Sequence, residues 1–563
     1  MILKILLLKL GILTLILYSF DKSYSNENFI LREDYKKNFS EDITSFQNEI
    51  NKILKENKIP GAAVALVDKN GTIWAQGFGF TSQHSRKKVN IQTLFSNQSQ
   101  SKIFTTLAVL SLVQEEKLSL NLPIISYLPD MKISDPNGGE PLKIITLKHL
   151  LSHTSGFAHD APVGNNNNSN FSFSEHMESI LKGTWLQFKP ESSVSYSNVG
   201  IDLAGYILQL KSKMNFDDAV KQKLFIPLEM TNSTFSVKQY LQNKNHAEGL
   251  IDGIKEPIIN YSFIPSGGMY SSVHDMAHFL QFVLNKGVFK NKKILNENIL
   301  NEMETIPFPI QNQKEGYALG LWRGIRNHDL YFSHTGRGFG FVNNLEWYPE
   351  SNIGIIVFTN KYDQKNIDFE ISHKIIDKIL EKRKNNEFQE IQKMVYGDYI
   401  SSMSNLKIQK SVEKNSIHLI GDINYGSFGN SIKKVDLILN YIGKNKFYSN
   451  ELRDYFIFEA KGPTGVPSLQ RETDGFIWFL NSSIKTCNSK DSINSNSYEG
   501  VYVLKGYGQN RNYRFYIKEG CPFFEDYSLR KINLNTFISP NGKIVEIQDK
   551  KLYFANLMME KED

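Results

Sequence analysis

Cysteine is nearly absent: the 563-residue chain has two, Cys487 and Cys521. Neither belongs to a paired-cysteine spacing, which excludes a thiolate metal site and a fold stapled by many bridges. Joined, the two would close a loop of about 35 residues and stabilise by roughly 3–4 kcal/mol on chain-entropy grounds. Two separate thiols fit the sequence as well. Strong charge of one sign is also missing, with 65 Lys and Arg against 59 Asp and Glu and a net charge of +6. The basic residues are scattered, and only Lys382-Arg383-Lys384 forms a short cluster. There is thus no footprint for nucleic acid or for an anionic membrane surface. Hydrophobic content of 40% and charged content of 22% describe a soluble globular protein of more than one domain.

The N-terminus stands apart. Lys4 and Lys9 precede Leu10 to Phe20, a stretch without charge, followed by small residues at Ser23 and Ser25. That is the layout of an export signal over residues 1–25, too short in its apolar part to span a bilayer. The expected location is therefore periplasmic or secreted. An uncleaved anchor tethering the protein to a membrane through residues 1–25 is the alternative.

Apolar periodicity divides the rest. Helical spacing is expected over Ile43–Lys58, Ile103–Lys117, Val199–Lys211, His274–Leu284 and Ile367–Lys384. Hairpins are expected around Asn70-Gly71 and around Pro349–Asn352. The tract Asn165–Asn170 reads as a surface loop. Beyond about residue 394, short alternating segments such as Ser416–Ile420, Tyr455–Phe458 and Tyr513–Ile517 predict an all-β region. Gly397-Asp398-Tyr399 and Gly500-Val501-Tyr502 open its two halves. The expected organisation is residues 1–25 for export, 26–390 for a catalytic domain and 391–563 for a β-rich domain.

Chemistry is concentrated in three short strings. Ser99 and Lys102 form a Ser-x-x-Lys at the mouth of an apolar helix, where the lysine lies one turn from the hydroxyl and can take its proton. Ser99 is expected to cap that helix, with its N–H aimed at a developing oxyanion. Burial and a hydrogen-bonding phenol are the expected means of lowering the Lys102 pKa, and Tyr196-Ser197-Asn198 offers that phenol, which can also relay the proton. Asn198, two residues on along an extended segment, is expected to hold a substrate amide. His334-Thr335-Gly336 ends a strand: Gly336 lets substrate lie against the edge, the Arg337 N–H completes an oxyanion hole, and His334 donates a hydrogen bond to the intermediate. His149 and His153 sit four apart, as zinc ligands on a helix do, with His159 close behind, but no glutamate follows His149 as in metalloproteases.

With these strings in place, residues 40–385 resemble the serine β-lactamase and penicillin-binding protein superfamily, in its class C β-lactamase-like branch. The strings Ile145–Phe157 and Pro265–Ser272 add to the likeness. The resemblance implies an α/β (α+β) fold: an antiparallel sheet flanked by helices, an all-helical subdomain, and a lipocalin-like all-β C-terminal domain. It implies Ser99 as nucleophile, Lys102 as base, Tyr196 as relay, Asn198 as amide ligand and His334 as third-motif residue, with Thr335, Gly336 and Arg337 lining the substrate. It explains His149 and His153 as structural.

Three departures stand out. His334 replaces the usual lysine and removes a cation suited to a β-lactam carboxylate, a role left to Arg337. Gln98 and Glu191 occupy positions where small residues are common. The implied activity is hydrolysis of a small ester, a D-amino-acid amide or a peptidoglycan-like peptide, and the mechanism requires no metal or organic cofactor. The alternative is a non-catalytic, acyl-accepting or peptidoglycan-fragment-binding protein.

Overall fold

The computed structural model describes residues 29–562 apart from 131–132, 134–139, 161–171, 184, 259–262, 309–312, 363–364, 401–404, 425–431, 462–466, 473–476, 481–498, 505–510, 519–520, 525–526, 532–535, 539–543, 549 and 555–556. Residues 1–25, the Asn165–Asn170 tract and Cys487 lie outside these residues. The chain divides into two compact units, Met1–Asp377 and Lys378–Asp563.

The first unit is built on an antiparallel sheet of eight strands. In chain order they are β1 (Phe29–Leu31), β2 (Gly61–Asp68), β3 (Gly71–Gly79), β4 (Gly316–Tyr317), β5 (Trp322–Arg326), β6 (Asp329–Gly338), β7 (Phe341–Tyr348) and β8 (Ile353–Thr359). Their spatial order is β1-β3-β2-β8-β7-β6-β5-β4. β2, β7 and β8 are buried along their whole length; β2 and β8 accordingly read as nearly continuous apolar runs, whereas β7 buries Asn343, Asn344 and Glu346 among its apolar residues. The two hairpins stand where the turn residues place them, with Asp68 opposite Gly71 and Tyr348 opposite Ile353.

The helices of the described residues include seven that frame the sheet or the Ser99 region. They are α1 (Glu33–Glu56), α2 (Ser101–Gln114), α3 (Leu147–Leu151), α4 (Asn198–Ser212), α5 (Ile264–Gly267), α6 (Val273–Leu284) and α7 (Ile367–Val395). Every residue of α2 from Ser101 to Leu112 is buried, so this helix is apolar all round and forms the centre of the helical half. The helix α7 runs through Asn385 and Asn386 to Val395 instead of stopping at Lys384. Its last turns bury Phe388, Ile391 and Val395 in the core of the second unit, and that burial overrides the weak helix propensity of the two asparagines.

The second unit holds two sheets. Gly397–Ile400 to Ile477–Leu480 form a closed eight-stranded barrel, the first strand pairing the last through Tyr399 and Leu480. Alternate residues such as Ile417, Leu419 and Ile423 point inward, and Tyr399, Phe447, Phe456, Phe458 and Trp478 fill the interior. From Gly500 a nine-stranded sheet follows. Its edge strands, Tyr527–Ser528 and Arg530–Lys531, are neighbours in the chain separated by buried Leu529. The two sheets begin at the two Gly-x-Tyr strings noted in the sequence.

Candidate active site

Ser99 lies in a single 3-10 turn, Gln98–Gln100, just ahead of α2. It does not cap the helix: the residue before α2 is Gln100, and no side chain caps there. Gln98 takes a left-handed backbone, φ 52°, which a glutamine adopts only where its surroundings hold it. Its buried side chain supplies that hold, Nε2 donating to Ser96 Oγ at 2.6 Å. The residue before Ser99 thus anchors a strained turn.

Lys102 is fully buried, its Nζ 3.2 Å from Ser99 Oγ and donating to the Ser266 carbonyl at 2.7 Å. Burial pushes its pKa down, favouring the neutral amine with a lone pair for the serine proton; Asp202 and Asp160 oppose that fall. Tyr196 differs from expectation in orientation. Its ring face meets Lys102 Nζ at 4.7 Å, and its hydroxyl lies near Ser99. Desolvation, rather than a bond from the phenol, is therefore what lowers the lysine. Burial also pushes the Tyr196 hydroxyl up, so it stays protonated and can both give and take a proton in relay.

His334 corrects a second expectation. Its Nδ1 lies 2.7 Å from the Thr335 carbonyl, which only accepts, so Nδ1 carries the hydrogen. Burial, reinforced by Lys102, drives the ring down to about 3 and keeps it neutral. Its buried Nε2 has no partner and is an acceptor. A neutral ring with this tautomer accepts a hydrogen bond at the site and does not donate one.

Two further assignments change. Asn198 is the first residue of α4 rather than part of an extended segment, because Ser197 caps that helix by accepting from the Gly200 N–H at 3.0 Å. The Asn198 amide donates to Asp160 Oδ1 at 2.7 Å. The Arg337 guanidinium is paired with fully buried Asp368, Nη2 standing 2.7 and 3.0 Å from its two oxygens. It is not a spare cation. Gly336 serves packing: a Cβ there would stand 2.0 Å from the Asn97 carbonyl oxygen, so β6 rests directly on the chain entering the Ser99 turn.

Ser99, Tyr196, His334, Thr335 and Arg337 line one cavity of about 440 Å³. Asn198 and Gly336 are not among its lining residues. Ser333, Tyr317, Trp322, Tyr331 and Phe369 complete the wall. None of these belongs to a sequence motif. Ser333 alone carried a signal, two residues before Thr335 on one face of a strand. The histidines spaced like zinc ligands have separate duties. His149 accepts the Thr146 N–H at 3.0 Å on Nδ1 and meets Glu191 Oε1 at 2.7 Å on Nε2. His153 Nδ1 accepts the Ser197 N–H at 3.1 Å, and its ring packs on Tyr196 at 4.5 Å. Glu191 has φ 70°, the conformation that makes glycine common at such a position, and its carboxylate is committed to His149.

A family model described as Beta-lactamase matches residues 46–373. Among curated proteins, Protein flp of Staphylococcus aureus (strain N315) is 30% identical over 330 residues, 56% of this chain and 63% of its own length. Penicillin-binding protein 4 of Amycolatopsis lactamdurans is 24% identical over 338 residues, 57% of this chain and 85% of its own length. The chain thus spans about three fifths of the length of the flp relatives. Among solved structures, the octameric penicillin-binding protein homologue from Pyrococcus abyssi superposes with a TM-score of 0.52. It is 20% identical, and the match covers 92% of this chain and 99% of that one.

Proposed function

Because the chain belongs to the beta-lactamase family, we propose that it is a serine hydrolase that acylates Ser99 and releases the acyl group to water, acting on small uncharged esters and amides, D-amino-acid amides among them. The observation that carries this reading is the neutral-favouring burial of Lys102 beside Ser99 Oγ, with Tyr196 lining the same cavity as Ser99. Lys102 takes the Ser99 proton as Oγ attacks the acyl carbon. Tyr196 passes the proton to the leaving group, and the N–H groups of Ser99 and Arg337 hold the oxyanion. Water then attacks the acyl-enzyme by the reverse proton path. Peptidoglycan-like peptides with a free carboxylate fit less well, since Asp368 already neutralises Arg337. Export through residues 1–25 belongs to the same proposal, and sequencing the mature N-terminus is expected to show cleavage after Ser25.

The test is release of p-nitrophenol from short-chain p-nitrophenyl esters, followed from the first second. Wild type is expected to show a burst and steady turnover, and Ser99→Ala to lose about a thousandfold or more. Equal rates for the two chains would remove Ser99 from the chemistry. A burst without turnover would make the protein an acyl acceptor instead of a hydrolase.

The Arg337–Asp368 pair gives a second expectation. Asp368→Asn frees the guanidinium toward the cavity, so KM for p-nitrophenyl hemisuccinate should fall roughly tenfold relative to the neutral butyrate. An unchanged ratio in a folded variant would mean that Arg337 does not face the acyl group.

A further inference from the structure

Asp202 is a buried carboxylate that the steps above leave unused. It lies in the second turn of α4, 1% exposed. Its Oδ1 accepts the Ser266 N–H at 2.8 Å, and its buried Oδ2 has no partner. The carbonyl of that same Ser266 accepts from Lys102 Nζ. The short helix α5 is wedged in place by its neighbours. Thr105 Oγ1 donates to the Pro265 carbonyl at 2.6 Å, and α4 packs so closely that a Cβ on Gly205 would meet Pro265 Cγ at 2.4 Å.

An asparagine at 202 would accept the Ser266 N–H equally well at far lower desolvation cost. The charge therefore needs another reason, and Lys102 provides one. A base must hold the proton that it takes, and a fully buried amine with two neutral oxygens beside it holds a proton poorly. We propose that Asp202 is a positioning residue for the reaction: it fixes the Ser266 carbonyl under Lys102, and its charge lets the buried amine take and keep the Ser99 proton. This rests on the Ser99–Lys102 reading above.

The other titratable groups facing Lys102 do not substitute. His153 and His334 are held neutral by burial, and Tyr196 stays protonated. Asp160 also acts on Lys102, but it is 42% exposed and engaged with His159 and Asn198, so solvent screens it. Burial pushes the Asp202 carboxyl up, while the Ser266 bond and Lys102 pull it back toward the charged form.

The test uses the full chain and a fluorophosphonate probe, which reacts once and needs no turnover. The Ser99 Oγ–P bond forms, fluoride leaves, and Lys102 takes the proton. Labelling rate is measured against pH for wild type, Asp202→Asn, Asp202→Ser and Asp202→Glu, with folding checked by circular dichroism and the Ser99 adduct by mass spectrometry. The second uncharged variant covers a failure of the first to fold. Wild-type labelling should fall as pH drops through the lowered Lys102 value. The uncharged variants should move that limb down by about one pH unit or more and lower the plateau roughly tenfold, while Asp202→Glu keeps the limb. Folded uncharged variants that retain the wild-type limb would overturn the proposal, as would a Glu variant that shifts like Asn. Failure of wild type to label at Ser99 would instead overturn the nucleophile assignment on which it rests.

Discussion

Replacing Lys102 by methionine is expected to lower ester hydrolysis by about a thousandfold or more while leaving a folded protein. The two effects part because the lysine does two opposed things. In the proposed mechanism its amine is the base, 3.2 Å from Ser99 Oγ. His334 is neutral and faces the site with a weakly basic nitrogen, and Tyr196 keeps its proton. Yet the same amine is a desolvated group in an apolar helix, and methionine nearly matches its length without that penalty. The Ser266 carbonyl loses a donor, a cost of about 1–3 kcal/mol that sets against the relief. Rate against pH supplies a second readout. Wild-type activity should rise with pH through the lowered Lys102 value, because only the neutral amine accepts a proton, and the methionine variant should lack that limb. A variant that keeps a tenth or more of the rate would place the base elsewhere.

Gly336→Ala is expected to damage both stability and activity. The added methyl would sit 2.0 Å from the Asn97 carbonyl oxygen and 3.3 Å from Gln98 Cβ, so β6 and the nucleophile turn must separate. Overpacking of this kind costs about 1–3 kcal/mol, and a displacement near 1 Å at reacting groups costs on the order of a hundredfold in rate. Thermal melting and kcat measured on the same preparation check both. Gly253→Ala is the control, since a Cβ there meets nothing within 4 Å and only the left-handed φ of 81° is penalised. If Gly336→Ala behaves like Gly253→Ala, the strand does not rest on the turn as described.

Side chains whose roles are local were the legible ones. Ser99 and Lys102 are three apart, and a helical turn brings them together whatever surrounds it. The hairpin at Asn70-Gly71 and the buried apolar runs of β2 and β8 are visible for the same reason. What the sequence could not show depends on partners far along the chain. Nothing near Arg337 marks Asp368, 31 residues on, as the carboxylate that occupies it. The His334 tautomer follows from one backbone carbonyl whose direction the strand register sets. Asn198 was misplaced because Ser197 reads equally as a strand residue and as a helix cap until the Gly200 N–H is seen to reach it. The aromatic wall came from Tyr317, Trp322, Tyr331 and Phe369, which look like ordinary core residues when taken singly.

The arrangement of the C-terminal sheets bears on how this protein meets other chains. A strand at the margin of a sheet offers unpaired N–H and C=O groups on which a foreign strand can template itself. The eight-stranded barrel closes on itself and has no such margin. The nine-stranded sheet ends in two strands of only two residues each, Tyr527–Ser528 and Arg530–Lys531, brought to opposite margins by a single intervening Leu529. Its margins are thus drawn together, and one of them carries two cations. Among the described residues, the barrel offers a foreign strand no margin, and the outermost strands of the larger sheet offer two residues each.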